Sequence, residues 1–257
     1  MADAILITAA CKRIGRCLAE TLAAQGHYIY VHYHTAQQDA EDTLKSIQDH
    51  GGNGQLVACD LGQYQAVENL MSQCDHPDHP VRHVINNASQ FIADSILDFT
   101  EDSFAQHQNV NLRAPLQLAR ALYHNIPDGE NGSVTNIIDS KVFALNPEFH
   151  SYTLSKYALR GATEMMAQGL NPKVRVNGIA PGLTLISSTQ SAENFEFASH
   201  LNFNGAPIKV EDVAATAQLL INTTSLNGVI IPVDGGQKMI NFTGDVVTIA
   251  EEILKKS

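Results

Sequence analysis

The sequence contains no apolar run approaching the ~18 residues that a membrane-spanning helix needs, so no such helix is expected. Cysteine is sparse. Cys11, Cys17, Cys59 and Cys74 form no C-x-x-C pair, which argues against a disulfide scaffold and fits a reducing, cytoplasmic setting. Basic residues are outnumbered, 16 Lys and Arg against 27 Asp and Glu, for a net charge of −11. That balance disfavours a nucleic-acid partner, although a local basic pocket for an anionic ligand remains compatible with it. The eleven histidines are scattered, and His76 and His79 sit in a proline-rich loop without a second pair of ligands, so no metal site is expected. The opening stretch MADAILITAA lacks the basic region of a secretory signal and reads as a first strand.

What is present is a globular pattern. Of 257 residues, 44% are hydrophobic and 17% charged, with no repeat, low-complexity segment or linker. One domain able to bury a full core is expected. Apolar runs at Ala4–Thr8, Tyr28–Tyr33, Gln55–Cys59, Val81–Asn86, Val134–Ile138, Lys173–Ile179 and Val229–Val233 read as strands. Helical periodicity falls between them, over Ala36–His50, Asp102–Asn125 (bent near Pro115), Tyr152–Leu170 and Val210–Asn222, among others. Alternation of this kind predicts an α/β fold, a single doubly wound Rossmann-type domain with about seven mainly parallel strands and helices on both faces. The stretch 183–207 is polar and irregular, the length of a lid or substrate loop. The tail 240–257 has a weak amphipathic pattern and is expected to pack on the body or on a neighbouring subunit.

The first strand-to-helix turn is short of glycine. In Thr8–Gly15 (TAACKRIG) only Gly15 supplies it, and no G-x-G-x-x-G is found. Two cations, Lys12 and Arg13, at a helix start oppose its dipole, and an anion between them would relieve that cost. Lys12, Arg13, Ile14 and Gly15 are therefore candidates for holding a phosphate. The end of the second strand, His32-Tyr33-His34-Thr35, carries no acid before Asp39. An acid there would hold ribose hydroxyls, so its absence favours a 2′-phosphate, and hence NADPH over NADH. The alternative is a merely solvated loop at His34 and Thr35.

The stretch Asp139–Lys156 concentrates the chemistry. Tyr152 and Lys156 are four apart, which places both on one helix face. An ammonium beside a phenol should favour the phenolate and bring its pKa down, as a general acid needs. Asp139 closes an apolar strand at the edge where open α/β sheets bind ligands. Ser140, one residue on, competes with it for that role.

In this order, Thr8…Gly15, Asp60, Asn86-Asn87-Ala88, Asn111, Asp139, Tyr152-x-x-x-Lys156, Pro181-Gly182 and Asp234-Gly235-Gly236 resemble the short-chain dehydrogenase/reductase family over about residues 4–239. The resemblance implies a catalytic Tyr152 and Lys156, with Lys156 also on the nicotinamide ribose, a relay supported by Asn111, and cofactor contacts from Asp60, Leu61, Asn87, Ala88, Ser89, Pro181, Gly182 and Thr184. It also implies a homotetramer built on the long helices after strands four and five, where Ala158, Ala162 and Ala167 are small enough for close packing. Lys12-Arg13, His32-Tyr33-His34, N-N-A-S-x-F at Asn86–Phe91 and an acid where the family carries serine are similar to the pteridine reductases and dihydromonapterin reductases. By that resemblance the substrate is a pterin stacked on Phe91, with Arg13, Ser89, Phe149 and Leu183 around it and Asp139 and Tyr152 as the acid–base pair. Ala9 departs from the usual glycine, and Thr35 from the arginine of the parasite-type enzymes. Two further readings remain: a generic carbonyl or 3-ketoacyl reductase, and a dinucleotide-binding sensor without chemistry.

Overall fold

A computed structural model describes residues 3–187 and 190–256. Residues 188 and 189 of the expected lid, and the last residue of the tail, lie outside the described part.

Seven strands, β1 (Ala4–Ile7), β2 (Tyr28–Tyr33), β3 (Asn53–Ala58), β4 (Val81–Asn86), β5 (Gly132–Ile137), β6 (Val174–Pro181) and β7 (Ile230–Val233), form one sheet. Its order is β3-β2-β1-β4-β5-β6-β7, and every pairing is parallel. A sheet covered on both faces needs apolar residues on both sides of each strand. β1 shows the division at period two. Leu6 joins a core with Tyr30, Val84, Val134 and Val176 beneath α3 (Tyr64–Gln73) and α5 (Ala114–Asn125). Ile5 and Ile7 join the opposite core with Ile29, Val31, Ile85, Ile137 and Ile179. That second core is covered by α1 (Arg13–Ala24), α2 (Gln37–Asp49) and α8 (Val210–Asn222). The strand order reverses between β1 and β4, so a crevice opens at their carboxyl ends, as doubly wound sheets require.

Several boundaries differ from expectation. β3 begins at Asn53, two residues before the expected Gln55, because its backbone pairs with Tyr28 and Ile29 of β2. The long helix is not simply bent at Pro115. α4 (Glu101–Gln108) runs into a π-helical turn, Asn109–Arg113, before α5. Pro115 has no N–H for the carbonyl of Asn111, and the ladder widens by one residue just before it, as π-bulges often do at functional sites. The stretch 183–207 is not wholly irregular. It carries α7 (Ala192–Ala198), opened by Ser191, whose hydroxyl accepts the Asn194 N–H. The tail forms α9 (Val246–Leu254), and Val246 and Ala250 pack on Ala198, Phe197 and Leu183. No helix among the described residues is long and apolar enough to cross a membrane.

On α6 (His150–Gly169), Ala167 is buried in the domain's own core and is unavailable to a neighbour, contrary to its expected interface role. Leu154, Tyr157 and Met165 are the large apolar residues exposed on that helix, and Ala158 is exposed beside them.

Candidate active site

The turn after β1 is fixed by hydrogen bonds that the sequence does not advertise. The Thr8 hydroxyl accepts the N–H groups of Asn87 and Ala88, both at 2.9 Å, tying β1 to the end of β4. The Asn87 amide donates to the carbonyls of Thr8 and Ala9. Two non-glycine residues of the turn are left-handed, Ala9 at φ 50° and Arg13 at φ 54°. Ala9 stands where glycine is usual, and the left-handed form costs an L-residue roughly 1–2 kcal/mol. Part of that is offset by the lower entropy of unfolded alanine. Ala9→Gly should therefore stabilise the protein by about 1 kcal/mol, read as a rise in the urea midpoint. Gly15 is obligatory for a different reason: a Cβ there would lie 2.0 Å from the Ala9 carbonyl oxygen and 2.7 Å from the Asn87 amide nitrogen.

This turn fits a pyrophosphate. It lies at the carboxyl end of β1, and the first amides of α1 have no intrahelical acceptor. Lys12 at the helix start makes no side-chain cap. The cations are placed differently from expectation. The anion beside Lys12 is Asp39, at 2.7 Å. A 2′-phosphate near Lys12 would share it with this exposed carboxylate. The guanidinium of Arg13 reaches across the cleft and donates to the carbonyls of Ile186 (2.5 Å) and Leu185 (3.2 Å). Arg13 thus bridges the phosphate turn to the loop after β6.

His32 is corrected by the structure. It was expected at the cofactor surface, but its ring is in the core. Nδ1 accepts the Ala9 N–H at 3.0 Å, and Nε2 lies 3.1 Å from the Cys59 carbonyl, so it donates there. Burial pushes its pKa down to about 4, with a further small push from His34. The ring must stay neutral in the fold, so its contribution is complete above the reference 6.5 and is lost as pH falls from 6.5 toward 4. The loss should approach about 3 kcal/mol. His32→Gln should show a correspondingly flatter pH dependence of the urea midpoint in that window. His34 and Thr35 are exposed and Tyr33 half-buried at the end of β2, with the His34 ring 3.9 Å from Asp60. Asp60 accepts the Gly62 N–H, and Leu61 is buried.

At the centre of the cleft, three groups converge. The Tyr152 hydroxyl donates to Asp139 at 2.6 Å. Asp139 follows β5 by two residues, and its other oxygen accepts the Lys141 N–H at 2.8 Å. Lys156 is fully buried and donates to the Ile137 carbonyl at 2.8 Å. Asp139 keeps some surface open to the cleft, but protein surrounds its carboxyl, and this desolvation raises its pKa. Burial brings Lys156 down to about 8. The expected lowering of the Tyr152 pKa is not found. Burial first, and then the adjacent Asp139, hold it well above 10. The lysine loses the contest because the phenol O–H donates its hydrogen bond to the Asp139 carboxyl, while the ammonium lies 5.8 Å from the ring centroid.

The remaining residues frame this trio. Asn111 makes no hydrogen bond to Tyr152. Its side chain brackets Gln90, accepting that N–H at 2.7 Å and donating to that carbonyl, and also donates to Ser155. It therefore fixes the backbone next to Phe91. Phe91 is half-exposed, stacks on Phe149 at 4.5 Å and meets Tyr152 edge-on at 4.7 Å. Ser89 is exposed beside it. Pro181 ends β6, the Gly182 N–H bonds Val233, and Leu183 and Thr184 begin the lid. Sequence reasoning missed Lys141, Asp245 and Gln237. Gln237 receives the Leu183 N–H, and Lys141 pairs with Asp245. No motif marks them, because each acts through a contact made distant in sequence.

A solved structure of FolM alternative dihydrofolate reductase 1 from Brucella canis, complexed with NADP, is 34% identical with a TM-score of 0.87, covering 93% of this chain and 95% of that one. The angucycline C-6 ketoreductase LanV with bound NADP is 26% identical with a TM-score of 0.85, covering 93% and 96%. The uncharacterized oxidoreductase YohF of Escherichia coli (strain K12) is 30% identical over 188 residues, 71% of this chain and 73% of its own length. Residues 3–198 match the family model described as short chain dehydrogenase, and the chain belongs to that family.

Proposed function

We propose that this protein is an NADPH-dependent reductase of a dihydropterin, with dihydromonapterin, dihydrobiopterin and dihydrofolate as candidate substrates. The observation that carries the reading is the 2.6 Å bond between Tyr152 and Asp139, a carboxyl where an ordinary carbonyl reductase needs only a hydroxyl. A raised carboxyl pKa lets Asp139 hold a proton and deliver it to a ring nitrogen, or bind the N–H groups of an aminopyrimidine. The likeness to a FolM structure supports the same substrate class.

NADPH, when bound, supplies the hydride. The residues that would hold it are Lys12, Arg13, Ile14 and Gly15 at the phosphates, His34 and Thr35 at the ribose phosphate, Asp60, Leu61, Asn87, Ala88 and Ser89 along the groove, and Lys156, Pro181, Gly182 and Thr184 toward the nicotinamide. The protein's own part is proton transfer and exclusion of water. Tyr152 and Asp139 share one proton at the substrate nitrogen, Lys156 sets a positive field behind them, and Asn111 holds Gln90 so that Phe91 faces the substrate. Arg13, Ser89, Phe149 and Leu183 complete the substrate walls.

Oxidation of NADPH should proceed with at least one of the three dihydropterins at a kcat/KM of about 10⁴ M⁻¹s⁻¹ or more. No turnover on any of them would remove the pterin assignment. A second reading, a ketoreductase, is favoured by the likeness to LanV, whose TM-score of 0.85 comes with the lower identity of 26%. It expects turnover of cyclic ketones or ketoesters instead. The four unpaired cysteines fit a reducing cytosol. Exposed Leu116, Leu154, Tyr157 and Met165 on α5 and α6 supply apolar area for a homotetramer.

A further inference from the structure

One buried ion pair lies beside the cleft. Lys141 and Asp245 meet at 2.9 Å, and both side chains are largely withdrawn from solvent. They come from segments 104 residues apart. A buried pair of this kind is weak evidence for stability, since desolvation consumes most of its attraction. Its surroundings point to another role.

Lys141 touches both working parts of the candidate site. Its backbone N–H donates to Asp139 at 2.8 Å, and its ammonium lies 4.8 Å from the centroid of the Phe149 ring. Phe149 is the left-handed residue at φ 52° that opens α6, and it stacks on Phe91. Asp245 is anchored in turn. It starts α9, its second oxygen accepts the Val247 N–H, and α9 packs on α7 of the lid. A second tie runs parallel. The Thr248 hydroxyl donates to Glu148 at 2.6 Å, and Glu148 is the neighbour of Phe149. The tail thus grips the strained Phe149 segment at two points.

We propose that Asp245, acting through Lys141, is a positioning residue that fixes Phe149 against Phe91, so that the tail holds in place the aromatic wall on which a planar substrate ring would stack. The tethering stands on geometry alone, and the planar substrate rests on the pterin reading above. Phe149 left without the cation and its anchor would sample other orientations, weakening substrate binding more than turnover.

The test uses the full chain and three variants: Asp245→Asn, Lys141→Met and the double variant Lys141→Met/Asp245→Leu. Without substrate, amides of residues 142–149 should exchange with deuterium about tenfold faster in Asp245→Asn than in the parent, with β5 unchanged. KM for the dihydropterin should rise about tenfold or more with kcat falling less than about threefold, and NADPH affinity, read by its fluorescence, should not move. The double variant should recover thermal stability, since no unpaired buried ion remains, yet keep the high KM, since no ammonium lies over Phe149. Unchanged exchange and KM in the single variants, or a KM restored in the double variant, would overturn the proposal. A parent protein inactive on every dihydropterin would refute the substrate reading instead. Exchange in 142–149, and KM for whichever ketone is reduced, would then decide the positioning role.

Discussion

Asp139→Ser should lower kcat/KM for dihydropterin reduction by about 10³-fold, the range expected when a positioned general acid is lost. Serine can orient a carbonyl oxygen, but it cannot hold a transferable proton near neutral pH. Asp139→Asn, which keeps the shape and the acceptor for the Lys141 N–H, should be as damaging. NADPH affinity should be unchanged, because the turn Thr8–Gly15 is untouched. A ketone substrate, if one is found, should tolerate serine. Equal losses on both substrate classes would place Asp139 in general scaffolding and leave an ordinary carbonyl reductase.

The pH profile gives a second check on the same substitution. Burial and Asp139 together hold the Tyr152 phenol high, and Asp139 is the second-largest cause after burial. Removing the carboxyl takes away one of these causes, so the Tyr152 pKa should fall. Reduction needs the protonated phenol, so the alkaline limb of kcat/KM in Asp139→Ser should move to lower pH. The parent's pair titrates as a unit, and its limb belongs to both groups. An alkaline limb that stays in place, or moves up, would show that the two groups do not share the proton.

The architecture could be read from the sequence because it depends on local periodicity. Strands such as Tyr28–Tyr33 are apolar on both faces, which only a doubly covered sheet explains, and the observed β2 has those bounds. The 3.6-residue pattern marked Val210–Asn222 equally well. Asp139, Tyr152 and Lys156 were found because spacing along one strand and one helix places them together. What failed was whatever depends on distant partners. His32 looked like a groove residue, but whether its ring faces in or out is decided by Ala9 and Cys59, which lie 23 and 27 residues away. The phenol pKa was misjudged for the same reason: i,i+4 spacing shows the lysine but not the carboxyl that accepts the phenol's hydrogen bond. Lys141 and Asp245 carried no local pattern at all.

Lys156→Met should abolish activity and stabilise the protein, and the opposite signs make it the more searching experiment. The ammonium is fully buried and bonded to the Ile137 carbonyl. Its pKa of about 8 lies well below the reference 10.5, so the folded state disfavours the charge. Below about pH 8 the lysine is protonated in both states, and the fold carries the whole cost, about 3 kcal/mol. Methionine fills the same stem volume without a charge. Subtracting about 1 kcal/mol for the lost hydrogen bond leaves a net gain of about 2 kcal/mol at pH 7, or roughly 4–8 °C in Tm for a chain of this size. As pH rises from 8 to 10.5 the parent sheds its proton in the fold before it would in the unfolded chain. Its stability therefore increases relative to the variant, and the gap closes. Turnover should meanwhile fall by about 10²-fold or more at every pH, since on the proposed reading neither the nicotinamide ribose nor the phenol would retain its cation. A variant that is less stable than the parent at pH 7, or a gap that widens with pH, would mean that Lys156 is held by more favourable contacts than the Ile137 carbonyl, and that its charge is part of the scaffold.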